Sequence, residues 1–298
     1  MLIGIAERFS NEILHRAAQL YGTNSERLVD YEGYENFVYG FERAGQEYVL
    51  RVGHTFHRSQ LHVLAELDWL NYLSDQRLPI AIPVPSLNGA QLEVINPEGE
   101  NDYFIATAFK RAPGVDLGGD SSAKKKWWKG DLFEQWGALM GELHHQTKQY
   151  RVANGKPHRP DWDEWAFLDL GRWIPADQKA VIAYGTDLKR RLRAHPQSSE
   201  TYGLIHGDFT QVNFTVHQGK ITVFDFSRSE YAWFIKDIAI ALYCAVRGSQ
   251  PTPSNFIPGF LNRFLSGYRR ENHLDVYWLK LLPEFLSLDC RLHRASHP

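Results

Sequence analysis

The tripeptide Ala112-Pro113-Gly114 marks a change of hydrophobic rhythm, and that change constrains the fold more than any other feature of the chain. Before it, short apolar runs alternate with turn residues; beyond about Lys124 the pattern is mostly helical. The first stretch predicts antiparallel strands near 25–31, 36–42 and 47–52, with Gly33 in the first connection and a tight turn at Ala44-Gly45-Gln46. A helix follows, read from Leu61, Leu64, Leu67, Leu70 and Leu73, then two strands around turns at Asn88-Gly89 and Pro97-Glu98-Gly99. The opening residues read as one amphipathic helix, with Ile13, Ala17 and Leu20 on a face, rather than a signal peptide. A strand-rich half followed by a helical half is an α+β arrangement, divided here as 1–111 and 112–298 with the tripeptide as hinge.

Composition excludes several classes. A formal net charge of −2 carries no nucleic-acid footprint, and no apolar run approaches a membrane span. Two cysteines exclude a disulfide framework and fit a reducing, cytoplasmic compartment. The basic run KKKWWKG reads as a solvated helix start with two core-facing tryptophans, and Cys244 as a buried packing residue. Of the adjacent His144 and His145, helical geometry allows one to face the core and leaves the other exposed.

Function concentrates in residues 204–242, where strand-like runs border a polar loop holding His206, Asp208 and Asn213, and a further run ends at Asp225. Strand ends are rigid platforms for aiming polar groups. An aspartate and an asparagine supply the hard oxygens that suit Mg²⁺ when phosphates complete its shell. A second aspartate, clear of the metal, can take the proton of an attacking hydroxyl. These are the parts of a phosphoryl-transfer site.

The motif HGDFTQVN followed by VFDF resembles the catalytic loop and metal-binding segment of the aminoglycoside phosphotransferase and choline kinase-like family. Residues ENFVYGFE, YVLRVGHTFHRS, AELDWLNYL and PVPSLNG resemble a bacterial subgroup related to homoserine kinase-like and stress-response kinase-like proteins. The resemblance implies a two-lobed protein kinase-like fold, with a small antiparallel-sheet N-terminal lobe and a larger, mainly helical C-terminal lobe. It implies that Asp208 is the catalytic base, that Asn213 and Asp225 hold Mg²⁺, and that His206 braces the loop. Asp237 would bond the loop backbone. In the first half it implies nucleotide contacts from Gly33, Tyr34 and Asn36 of a phosphate-covering loop. Arg51 stands where protein kinases carry lysine, Glu66 would hold it, and backbone groups near Thr107 to Phe109 would meet adenine. The expected activity is Mg²⁺-dependent transfer of the ATP γ-phosphoryl group to a hydroxyl of a small-molecule acceptor. A nucleotide-binding pseudokinase and a protein kinase of the stress-response type are the alternatives.

The resemblance further implies that the acceptor binds in the second half, beside Asp208, with residues 155–200 as a variable insert. Trp162, Asp163, Glu164 and Trp165 there either cradle a cationic amine or seal the insert against its lobe. Ser227 and Arg228 follow Asp225 where many relatives continue with acidic residues; a cation there argues against a polycationic acceptor and for one carrying a carboxylate or phosphate.

Overall fold

The computed structural model describes residues 3–33, 35–96, 102–118, 121–165, 174–249 and 252–295. They divide into two units, residues 1–112 with 152–158, and residues 113–151 with 159–298.

The first unit contains α1 (Ile3–Arg8), α2 (Asn11–Leu20), β1 (Val29–Asp30), β2 (Phe37–Arg43), β3 (Gln46–His54), α3 (Gln60–Asp75), β4 (Pro83–Val84), β5 (Glu93–Ile95) and β6 (Phe104–Lys110). Its sheet runs β1-β2-β3-β6-β4, with β5 also paired to β6. The β2–β3 hairpin closes at Ala44 and Gly45, both with positive φ, the two-residue turn whose twist suits a right-handed sheet. Alternation along the strands separates two faces. Leu50 and Val52 join Phe104, Ala106, Ile13, Ala17 and Tyr21 in one core, while Arg51 and Thr107, directly opposed in register, point the other way.

Three expectations are corrected here. The opening segment is two helices rather than one, because the Ser10 side chain accepts a hydrogen bond from Ile13 N–H and starts α2 afresh. The strand expected over 25–31 survives only as β1; Asn24 instead caps a 3-10 turn at Ser25–Arg27, a local bond that competes with the ladder. The leucine stripe of α3 holds for Leu67, Leu70 and Leu73, but Leu61 is 61% exposed. Val63, Glu66 and Trp69 complete the buried face, which with Leu67, Leu70 and Leu73 follows the mixed three- and four-residue spacing of a helix rather than a three-residue step alone. The turn expected at Pro97-Glu98-Gly99 lies outside the described residues.

The second unit contains β7 (Val115–Asp116), α4 (Ser121–Trp127), α5 (Gly130–Gln149), α6 (Lys179–Arg193), β8 (Tyr202–Ile205), β9 (Phe214–His217), β10 (Lys220–Val223), β11 (Glu230–Trp233), α7 (Phe234–Gly248), α8 (Phe256–Glu271), α9 (Val276–Lys280) and α10 (Leu282–Ala295). Helices α5 and α8 meet at glycines. A Cβ on Gly137 would stand 1.9 Å from the Phe264 carbonyl oxygen, and one on Gly267 1.9 Å from that of Glu134. This contact lets Trp136, fully buried on α5, meet Phe260 and Phe264 of α8 as well as Phe209 and Phe214, which flank the polar loop. Among the described residues no helix is long and apolar enough to cross a membrane.

Candidate active site

Strand β8 ends at Ile205 and the chain enters the loop His206-Gly207-Asp208. Hairpin β9–β10 pairs Phe214 with Val223, and Phe224 N–H donates to the Asn213 carbonyl oxygen at 2.9 Å. That register brings the residue before Asp225 beside Asn213. The Asn213 amide nitrogen donates to Asp208 twice, to its carbonyl oxygen at 2.9 Å and to its carboxylate Oδ2 at 3.0 Å. Both amide hydrogens are thereby directed at Asp208, which leaves Oδ1 as the atom of Asn213 suited to bind a cation. Asp225 is exposed at φ 58°, a left-handed conformation unusual for a non-glycine residue, and its carboxylate caps Ser227 N–H at 3.4 Å.

The loop is held from below. The Asp237 carboxylate, at the start of α7, accepts His206 N–H at 3.0 Å and Gly207 N–H at 2.9 Å. His206 accepts Asp208 N–H on Nδ1 at 3.2 Å, so the ring proton sits on Nε2 and is donated to the Phe224 carbonyl at 3.1 Å. Complete burial pushes the His206 pKa below its ordinary value, which keeps the ring neutral in this role. Gly207 has φ 76°, and a Cβ there would stand 2.2 Å from the Arg228 carbonyl oxygen. Only glycine lets the loop meet the turn after Asp225 so closely.

Asp237 is itself held by His144, whose Nε2 donates to Oδ2 at 3.1 Å while Nδ1 pairs with the Tyr268 hydroxyl at 2.9 Å. His144 is thus the core member of the histidine pair, and His145 is exposed. The sequence signalled that one of the two would be buried; their partners on α7 and α8 had no local signal.

In the first unit, Arg51 forms a bidentate pair with Glu66, 2.8 and 3.0 Å, and its Nε donates to Thr107 Oγ1 at 3.3 Å. The guanidinium also lies 4.9 Å from the centre of the Phe109 ring. Arg51 and Glu66 are 8% and 1% exposed, so this is a buried pair and not a surface one. Gly33 is needed for a close approach: a Cβ there would stand 2.2 Å from the Asn36 carbonyl oxygen. The Asn36 side-chain oxygen lies over Gly53 of β3, and Glu35 between them pairs with Arg58 at 3.2 Å. Tyr34 lies outside the described residues.

The backbone expected to meet adenine lies in β6. Residues Thr107 to Phe109 are paired along their length with Arg51 to Val49 of β3, and Ala108 and Phe109 also with β4. The Thr107 hydroxyl and the Phe109 ring also join the Arg51 cluster. Three other readings are settled by packing. Trp162 and Trp165 are buried, the first against Trp233 and the second donating its indole N–H to Glu230, while Asp163 pairs with Arg193; the sealing role holds. Residues 166–173 of the expected insert lie outside the described residues. Trp127, Trp128 and Cys244 are half-buried rather than core.

No group of three or more His, Cys, Asp or Glu capable of holding a metal occurs among the described residues. The donors present, one carboxylate and one amide oxygen, fit a hard divalent cation that shares its shell with phosphates rather than one caged by protein alone.

The chain matches the phosphotransferase enzyme family (APH) over residues 29–274 and belongs to it. It is 36% identical over 281 residues to an amicoumacin kinase of Bacillus subtilis (strain 168), covering 93% of this chain and 81% of that protein. The solved structure of the amicoumacin kinase hAmiN in complex with AMP-PNP, Ca²⁺ and Ami superposes with a TM-score of 0.91 at 35% identity, covering 99% and 88% of the two chains. A microcompartment-associated aminopropanol kinase superposes with a TM-score of 0.78 at 23% identity, covering 97% and 90%, and speaks for the fold. The fold is protein kinase-like, and the chain is an ATP-dependent kinase of a small-molecule hydroxyl, using a divalent metal.

Proposed function

We propose that the chain phosphorylates a hydroxyl group of an amicoumacin-like acceptor, with ATP as donor and Mg²⁺ as the metal. The observation that carries the reading is the Asp208–Asn213 arrangement: one amide holds the loop aspartate through two hydrogen bonds and keeps its own oxygen for the metal. Similarity to amicoumacin kinases across nearly the whole chain supports the acceptor class.

In this reading Asp208 orients the acceptor hydroxyl and takes its proton at a carboxylate oxygen as the oxygen attacks the γ-phosphorus, whose bond to the β,γ-bridging oxygen breaks so that ADP leaves. Asn213 Oδ1 and the Asp225 carboxylate would hold the metal, whose charge would offset that of the phosphate oxygens. Arg51, fixed in its plane by Glu66 and Thr107, presents its charge to the phosphates, and Gly33 and Asn36 cover them. His206 and Asp237 hold the Asp208 backbone in place and take no part in proton transfer.

The test is ADP release with amicoumacin as acceptor, alongside AMP-PNP binding. Asp208→Asn is expected to lower kcat by about 10²–10⁴ while AMP-PNP affinity stays within about twofold. Equal turnover in the variant removes Asp208 from the chemistry. No turnover of amicoumacin by the wild type, with activity on another alcohol, removes the acceptor assignment alone.

A further inference from the structure

Arg159 is 2% exposed and its donors are directed at the turn that follows Asp225. Nε donates to the Ser229 carbonyl oxygen at 2.7 Å, and a terminal nitrogen donates to that of Ser227 at 2.7 Å. The carbonyl between them, of Arg228, is the one that rests against Gly207 of the catalytic loop. Two carbonyls of the turn are therefore bonded to one side chain, and the one between them packs against the loop. The turn begins at Asp225, in its left-handed conformation, and Phe226 packs against His206 with the rings tilted by 40° and their centres 4.3 Å apart.

Arg159 is itself fixed. Residues 160–162 run along the free edge of β11: Tyr231 N–H donates to the Pro160 carbonyl at 2.9 Å, and Trp162 N–H donates to that of Tyr231 at 2.9 Å. The other edge of β11 pairs with β8, placing Glu230 opposite Ile205, one residue before His206. The guanidinium carbon lies 5.9 Å from the centre of the Trp165 ring, and Trp165 is anchored on the buried Glu230. A planar fork held this way can bridge two carbonyls; a lysine ammonium is a single point and holds the pair less rigidly.

From this geometry we infer that Arg159 is a positioning residue for the metal site: by clamping the Ser227 and Ser229 carbonyls it fixes the orientation of the Asp225 carboxylate. The inference rests on the reading that Asp225 is a metal ligand. Groups that orient a ligand from outside typically change metal affinity by about 10–100-fold when lost.

The experiment is Mn²⁺ titration by electron paramagnetic resonance in the presence of AMP-PNP, on the full chain and its Arg159→Lys, Arg159→Ala and Asp225→Asn variants. Arg159→Lys is expected to weaken Mn²⁺ binding about tenfold. Its metal concentration for half-maximal rate should rise in step, with the acceptor KM changed less than about twofold. Added guanidinium should recover part of the affinity of Arg159→Ala; if that variant does not fold, Arg159→Lys decides alone. Unchanged Mn²⁺ affinity in Arg159→Lys, with weakened binding in Asp225→Asn, overturns the inference and leaves the site reading intact. Unchanged affinity in Asp225→Asn overturns the site reading itself, and with it the role of Arg159.

Discussion

The imidazole of His144 and the carboxylate of Asp237 meet at 3.1 Å with both side chains fully buried, and the same carboxylate holds two backbone N–H groups of the loop that carries Asp208. Burial pushes the His144 pKa below its ordinary 6.5, against the pull of Asp237, and His206 is displaced in the same direction by its own burial. For Asp237 burial works upward, but the hydrogen bonds from His144 and the loop prevail and hold its pKa below the ordinary 3.8. Both histidines are therefore neutral in the native state and bind protons more readily once unfolded. Their contribution to stability is complete above pH 6.5 and is lost as pH falls below it; that of Asp237 is lost only at still lower pH. The expected melting temperature is flat just above neutrality and declines steadily toward about pH 5. A melting temperature indifferent to pH across that range would contradict neutral, buried histidines.

The Arg51–Glu66 pair separates stability from nucleotide binding. Glu66→Gln leaves a buried guanidinium short of its counter-charge and is expected to cost about 3–5 kcal/mol in a urea melt. The double variant Arg51→Met, Glu66→Leu removes both charges and is expected to recover most of that loss. Calorimetry with AMP-PNP should nonetheless find its nucleotide affinity reduced, because the charge proposed to meet the phosphates is gone. Full affinity in the double variant would make the pair purely structural.

The α5–α8 contact has no room for a methyl group at Gly137 or Gly267. Each glycine faces backbone of the other helix, which cannot rotate aside as a side chain does. Gly137→Ala and Gly267→Ala are each expected to cost about 1–3 kcal/mol by overpacking, despite the better helix propensity of alanine. A stabilised alanine variant, read by thermal melt, would show that the two helices separate at no cost.

What the chain revealed without coordinates was local. The hairpin at Ala44-Gly45 is written in a two-residue turn between β-rich runs, and His206, Asp208, Asn213 and Asp225 lie within twenty residues of one another on adjacent strand ends. Elements whose signals compete locally were misread. Asn24 and Ser10 each offered the backbone a nearby oxygen, and that ended a strand and split a helix that hydrophobic spacing alone had joined.

The partners of the site residues were a different matter. Asp237 was expected to brace the loop from the family resemblance of its segment, but His144, 93 positions earlier, carries no mark that it holds that carboxylate. Arg159 stands 68 and 70 positions from the carbonyls it clamps, and the tryptophans beside it read equally well as an amine cradle or a seal until Glu230 and Trp233 were found against them. Sequence by itself determined the residue types and spacings that phosphoryl transfer requires, because those groups sit on short, contiguous strands and loops. Only the tertiary structure decided which buried groups hold them in place, since long-range hydrogen bonds depend on packing that brings distant segments together and leave no periodicity in the chain.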